Sequence, residues 1–111
     1  MCRALKVLCA APDTGTLTEL KRATVSVHWE LTGGATSIDE LVKQLDDLTP
    51  DAVVIGAGFD DRAPRIVRER LPRARIVSVG RPLGGADAFA DADGIRDAIL
   101  GLPPVGGPVR A

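Results

Sequence analysis

Residues 50–58 read P-D-A-V-V-I-G-A-G, and the run from Ala52 to Ile55 contains no polar side chain. Opened by Pro50 and closed by Gly56, such a run suits a short strand buried on both faces of a parallel sheet. It is the expected central strand. In open α/β sheets the binding and reacting groups lie just past the carboxyl ends of the strands. Past Ile55 the chain continues with Gly56, Ala57 and Gly58, which bring flexibility and close approach but no reactive side chain.

Immediately upstream, Ser37-Ile-Asp-Glu40 has the form of a capping box, in which the Ser hydroxyl and the Glu carboxylate satisfy free amides of a first helical turn. Ile38, Leu41, Val42, Leu45 and Leu48 succeed it at spacings of three and four, with Asp39, Glu40, Lys43, Asp46 and Asp47 on the other side. This predicts an amphipathic helix. Further back, Thr24 to Leu31 alternates Val25, Val27, Trp29 and Leu31 with Ser26, His28 and Glu30, which predicts a half-exposed edge strand. Leu5 to Ala10 reads as a first strand ended by Pro12. Between these two, Asp13 or Thr14 is placed to cap a weak helix over Gly15 to Ala23.

Downstream, Phe59 to Pro64 leads into a helix ending near Leu71-Pro72, with Asp60 or Asp61 near its cap. Arg75 to Val79 reads as a fourth strand. Only eight residues run from Gly80 to Asp87, fewer than the roughly twelve that a helical crossover requires. No full helix fits there, so Ala88 to Ala90 is expected as a short fifth strand or an extended stub. Asp93 then caps a last helix through Ile95, Ala98, Ile99 and Leu102. Residues 1–102 therefore form one three-layer α/β domain, and the Pro- and Gly-rich residues 103–111 are expected to be disordered.

Composition narrows the function. Fourteen basic and fifteen acidic side chains leave a net charge of −1, and the aromatic residues are only Trp29, Phe59 and Phe89. That combination gives no general pull towards nucleic acid or anionic membranes and no stacking surface. The amino terminus lacks a long apolar region with a cleavage site after it, so a cytoplasmic location is expected. Cys2 and Cys9 are read as two reduced thiols, because Cys9 falls in a strand and a disulfide would need the terminus to fold back.

Ala35 to Ile55, Arg68 to Gly80 and Gly85 to Phe89 resemble receiver domains of bacterial response regulators, in order over most of Leu5 to Leu102. The resemblance implies a flavodoxin/CheY-like doubly wound sheet of order 2-1-3-4, extended by the short fifth strand if it pairs. The spacing departs from the family pattern, since the first and third helices look shortened and the fourth is reduced or absent. In that family an acidic pair holds magnesium, an Asp at the end of the third strand takes a phosphoryl group, a Thr or Ser ends the fourth strand, and a Lys ends the fifth. Here the acidic pair falls on Ala11 and Pro12, the phosphoacceptor on Gly56, the Thr position on Gly80 and the Lys on Ala92. By resemblance the chain is a pseudo-receiver without catalytic residues or a cofactor.

Several residues suit two roles. Asp13, Asp60 and Asp61 are placed at the carboxyl edge of the sheet, either as helix caps or as a divalent-metal site; capping is the simpler role, and no metal site is expected. Cys9-Ala-Ala-Pro-Asp-Thr-Gly-Thr16 resembles the Cys-plus-loop nucleophile of phosphotransferase IIB proteins and small tyrosine phosphatases, but lacks the phosphatase Arg; otherwise Cys9 is a small buried hydrophobe. His28 is the only histidine, too isolated for a metal site. Arg62, Arg65, Arg68, Arg70, Arg73, Arg75 and Arg81 crowd into twenty positions and form either a basic patch for a phosphate or an acidic partner, or a solvated face with Glu69 pairing to Arg65.

Three functions are expected, in descending order. The first is a non-catalytic regulatory module that binds a protein partner, such as a regulator, kinase or transcription factor, through Arg62, Arg65 and Arg68, or that forms a homodimer. The second is a binding domain for a phosphate-bearing or aromatic small molecule, held by Asp13, Gly58, Asp60, Asp61 and Arg81. The third is an enzyme with Cys9 as phosphoryl carrier. With no output domain of its own, the chain is expected to act through its binding partners.

Overall fold

The computed structural model describes residues 5–27, 29–80, 84–91 and 94–100. Cys2, His28, Arg81, Ala92, Asp93 and the tail at 103–111 lie outside the described residues. The order is β1 (Leu5–Ala10), α1 (Thr14–Thr24), β2 (Trp29–Leu31), α2 (Ile38–Leu48), β3 (Ala52–Ile55), α3 (Ala63–Arg70), β4 (Arg75–Val79), β5 (Ala88–Ala90) and α4 (Ile95–Leu100). All strands are parallel, in the order β2-β1-β3-β4-β5.

β3 is central, as its unbroken apolar run requires. Val54 pairs with Cys9 on one side and Val77 on the other. Because side chains alternate along a strand, Ala52 and Val54 feed one core layer while Val53 and Ile55 feed the other. Leu20 of α1 and Ile95 and Ile99 of α4 close the first layer; Leu41 and Leu45 of α2 and Ala63 and Val67 of α3 close the second. Asp51, buried just before β3, ties three strands at the amino edge. Its carboxylate accepts from the Lys6 amide at 2.8 Å, its own amide donates to Lys6 O, and its carbonyl accepts from the Arg75 amide.

Several local expectations are corrected. The predicted strand over Thr24 to Leu31 shrinks to Trp29–Leu31, because α1 continues to Thr24 and is as long as α2. The Arg96 guanidinium donates to the carbonyls of Val25 and Arg22, and the Trp29 indole donates to Thr24 O, so the end of α1 is satisfied there. Val25 and Val27, expected on a packed face, are 52% and 98% exposed. The capping box is half as drawn: Ser37 Oγ accepts from the Glu40 amide, but the Glu40 carboxylate reaches back to the amide and hydroxyl of Thr36. Asp60 does not cap α3, whose N-cap is Arg62 without a side-chain bond.

The fifth strand forms, and among the described residues no helix separates it from β4. A polar tie stands in its place. The Asp87 carboxylate, its side chain 17% exposed, accepts from the Ile76 amide at 2.8 Å and faces Arg68 and Arg75 at 3.1 and 3.3 Å. Phe89, opposite Ser78 on the α2/α3 side, is left half exposed.

Candidate functional site

The carboxyl edge of the sheet gathers Ala11, Pro12, Gly56 and Gly80. Backbone bonds set their places: the Gly56 amide donates to Ala10 O at 2.8 Å, the Ala11 amide to Ala35 O at 3.0 Å, and the Gly80 amide to Ala90 O at 3.0 Å. None of the four carries a side-chain oxygen or charge. The glycines differ in kind. A Cβ on Gly56 would meet Leu20 Cδ2 and Ala10 O at 3.4 Å, an ordinary contact. Gly80 has φ +87°, and a Cβ there would lie 2.9 Å from the Ala57 Cβ; Gly58 has φ +89° and faces Pro12. Gly80 and Gly58 are therefore required by the backbone, whereas Gly56 is not.

Two of the depressions among the described residues open on this edge. The larger, about 620 Å³, lies between the β1–α1 loop, the start of α2 and the β3–α3 loop, with Pro12, Ser37, Asp39, Gly58, Asp60 and Arg62 in its wall. The smaller, about 210 Å³, lies between α1 and the ends of β3 and β4, lined by Thr16, Glu19, Leu20, Gly56, Ala57, Val79 and Gly80. The structure brings Gly58 and Asp60 into the first but not Asp13, which faces α1 instead: its carboxylate accepts from the Thr16 amide at 2.8 Å, and these bonds hold its pKa below the usual range. Asp60 accepts from the Arg62 amide and guanidinium, and this pairing pulls its pKa down to about 2. Among the described residues no three acidic, His or Cys side chains converge on a point where a metal could sit.

The arginine cluster is largely spent within the chain. Arg62 pairs with Asp60, Arg65 with Glu69 at 3.7 Å, Arg70 with Asp46 at 2.8 Å, and Arg68 and Arg75 with Asp87. Arg68 also reaches the carbonyls of Ala74 and Gly85. These bonds tie Arg68 into the fold, with its side chain 38% exposed. Arg65, its side chain 83% exposed, remains on the outer face.

Cys9 is 1% exposed inside β1. Burial pushes its thiol up to about 11, against the weaker opposing pull of a hydrogen bond with Thr24 and the charge of Lys21. The thiolate needed for phosphoryl transfer is disfavoured, and the strand, not a loop of free amides, surrounds it. Glu19 and Asp87 escaped the sequence reading. Glu19 is a single carboxylate on a helix of weak propensity, and Asp87 precedes a three-residue strand, so neither carries a pattern.

No family model matches the sequence, and no curated protein matches it significantly. Solved structures do match. The response regulator domain of Thermotoga maritima CheB superposes with a TM-score of 0.69 over 91% of this chain and 100% of that one, at 18% identity. The fold is that of a receiver domain. A receiver-modulated diguanylate cyclase from Pelobacter carbinolicus matches at a TM-score of 0.67, covering 86% of each chain at 16% identity. The receiver domain of the putative response regulator NarL from Mycobacterium tuberculosis matches at 0.65, with 17% identity and coverages of 89% and 92%. Among the described residues, no helix of this receiver fold is long and apolar enough to cross a membrane.

Proposed function

We propose that this chain is a receiver-like regulatory module of the cytoplasm that acts by binding a protein partner, without aspartyl phosphorylation. The observation that carries this reading is the carboxyl edge itself: Gly56 and Gly80 stand at the ends of β3 and β4, and Ala11 and Pro12 come directly after β1. Phosphoryl transfer needs an oxygen nucleophile and a metal to neutralise the phosphate, and these residues supply neither. The partner is a regulator, kinase or transcription factor, or a second copy of the chain.

The test has two arms. The protein, incubated with acetyl phosphate and Mg²⁺, is weighed intact; an unchanged mass is expected, and a phosphoryl adduct overturns the reading. Native mass spectrometry of tagged protein isolated gently from its host is expected to show a complex with a second polypeptide. Arg65→Glu is the appropriate charge reversal for probing that complex, since Arg68 is tied into the fold.

The phosphate-bearing ligand considered for the same edge gains no support from the geometry. Asp60 occupies the Arg62 guanidinium, and the Asp13 carboxylate accepts from the Thr16 amide in the first turn of α1.

A further inference from the structure

The 210 Å³ cavity between α1 and the ends of β3 and β4 is not explained by partner binding. Its floor is apolar: Leu20, Gly56 and Val79 are all buried, and neither glycine at the strand ends fills the space. Its mouth is formed by exposed residues, Glu19, Ala57 and Gly80. Glu19 is the charged group in the wall, and among the described residues no ion pair engages it. Among those residues no cationic side chain lines the cavity, and the nearby start of α1 is already closed by the Asp13 carboxylate.

A cavity with an apolar floor and one unengaged carboxylate at its mouth selects a ligand with a hydrocarbon body and a cationic end. At about 210 Å³ and open to solvent on one side, the depression suits only a small ligand. We infer that this cavity binds a small primary amine with a branched or cyclic hydrocarbon body: the body sits on Leu20 and Val79, and the ammonium donates to the Glu19 carboxylate. The inference rests on the cavity and is independent of the partner-binding reading, since neither requires the other.

The experiment is a titration of the full ¹⁵N-labelled chain monitored by NMR amide shifts. The probe is isoamylamine, compared with isoamyl alcohol and isovalerate, which keep the body and change the end group. Saturable shifts at Leu20, Gly56, Val79 and Gly80 are expected with the amine, about tenfold weaker binding with the alcohol, as expected for a lost charge-assisted bond, and none with the acid. Glu19→Gln should bring amine affinity down to that of the alcohol. Ala57→Leu, at an exposed turn position, should block all binding while leaving the rest of the amide spectrum in place. The inference is overturned if the amine produces no saturable shift at these residues, if isovalerate binds as well as the amine, or if Ala57→Leu leaves binding unchanged. A phosphoryl adduct or a failure to find a protein partner would leave these titrations untouched, so the two readings fail separately.

Discussion

Removal of the Asp87 carboxylate is the sharpest test of how β5 is held. In the absence of a helix between β4 and β5 among the described residues, the strand is held by three rungs with β4, by the Ser78 hydroxyl bond to Ala88 O, by Ala90 in the core and by this side chain. Asp87→Ala deletes the acceptor of the Ile76 amide and leaves Arg68 and Arg75 without their shared anion. A hydrogen bond to a charged group contributes about 1.5–3 kcal/mol, and exposed ion pairs no more than about 1. Arg68 keeps the carbonyls of Ala74 and Gly85, so its loss is partial. The expected destabilisation is about 2–3 kcal/mol for Asp87→Ala and about 1 kcal/mol for Asp87→Asn, which still accepts from Ile76. Urea unfolding measures it as a lowered midpoint at constant slope. Arg68→Ala should cost less than Asp87→Ala, because Arg75 still faces the carboxylate. If Asp87→Ala shifts stability by less than about 0.5 kcal/mol, as at an ordinary surface site, the tie is not what holds β5, and the reading of Arg68 as a tie of the fold falls with it.

Gly80→Ala should destabilise by more than about 1 kcal/mol, since φ +87° is strained for Ala and the added Cβ meets Ala57, whereas Gly56→Ala should change the same urea midpoint little. Gly56→Asp alone should gain no phosphoryl adduct by intact mass, because Ala11 and Pro12 bring no carboxylate for a metal. The Asp60 carboxyl, monitored by NMR, should titrate near 2 and not at its ordinary 3.8. Because the folded value is depressed, its pairing with Arg62 stabilises the turn above about pH 4 and is lost as pH falls through about 2; Arg62→Gln should return the midpoint towards 3.8. In a Cys2→Ser background, Cys9 should resist a thiol reagent at about pH 8 in the native protein and react fully in urea, as a thiol raised to about 11 by burial requires.

The parts of the fold that were legible in the sequence are those whose signal is local and repeated. Ala52–Ile55 has no polar residue, and a strand so composed has to be central. The spacing of Leu41 and Leu45, with Ser37 ahead of them, fixes both the face and the start of α2. The eight residues from Gly80 to Asp87 are too few for a full helical crossover, and among the described residues none separates β4 from β5. The errors arose where a pattern met a competing anchor. Val25 and Val27 alternate like a strand, but Leu5 pairs with Trp29 as the first rung, and Arg96, far from Val25 in sequence, ties off the end of α1. No window of sequence contains that contact.

The site was harder to read for the same reason. That Gly56 and Gly80 bring no side chain to the strand ends is read from the sequence directly, whatever their surroundings. The cavity beside them is not, because Glu19, Leu20, Ala57 and Val79 come from three separate segments and become one cavity only when β3 and β4 pair with Ile55 beside Ser78. The arginines show the converse. Their crowding in sequence left a basic patch and a solvated, internally paired face both open; the Arg65–Glu69 pair was legible as an i,i+4 spacing, whereas Asp46, Asp60 and Asp87 meet Arg70, Arg62 and the Arg68–Arg75 pair only in space. The strand ends at Gly56 and Gly80 carry no side-chain oxygen, and five of the clustered arginines pair with carboxylates of the same chain. What is left is an apolar pocket beside a carboxylate, and chemistry of the opposite charge is what that pocket is built to recognise.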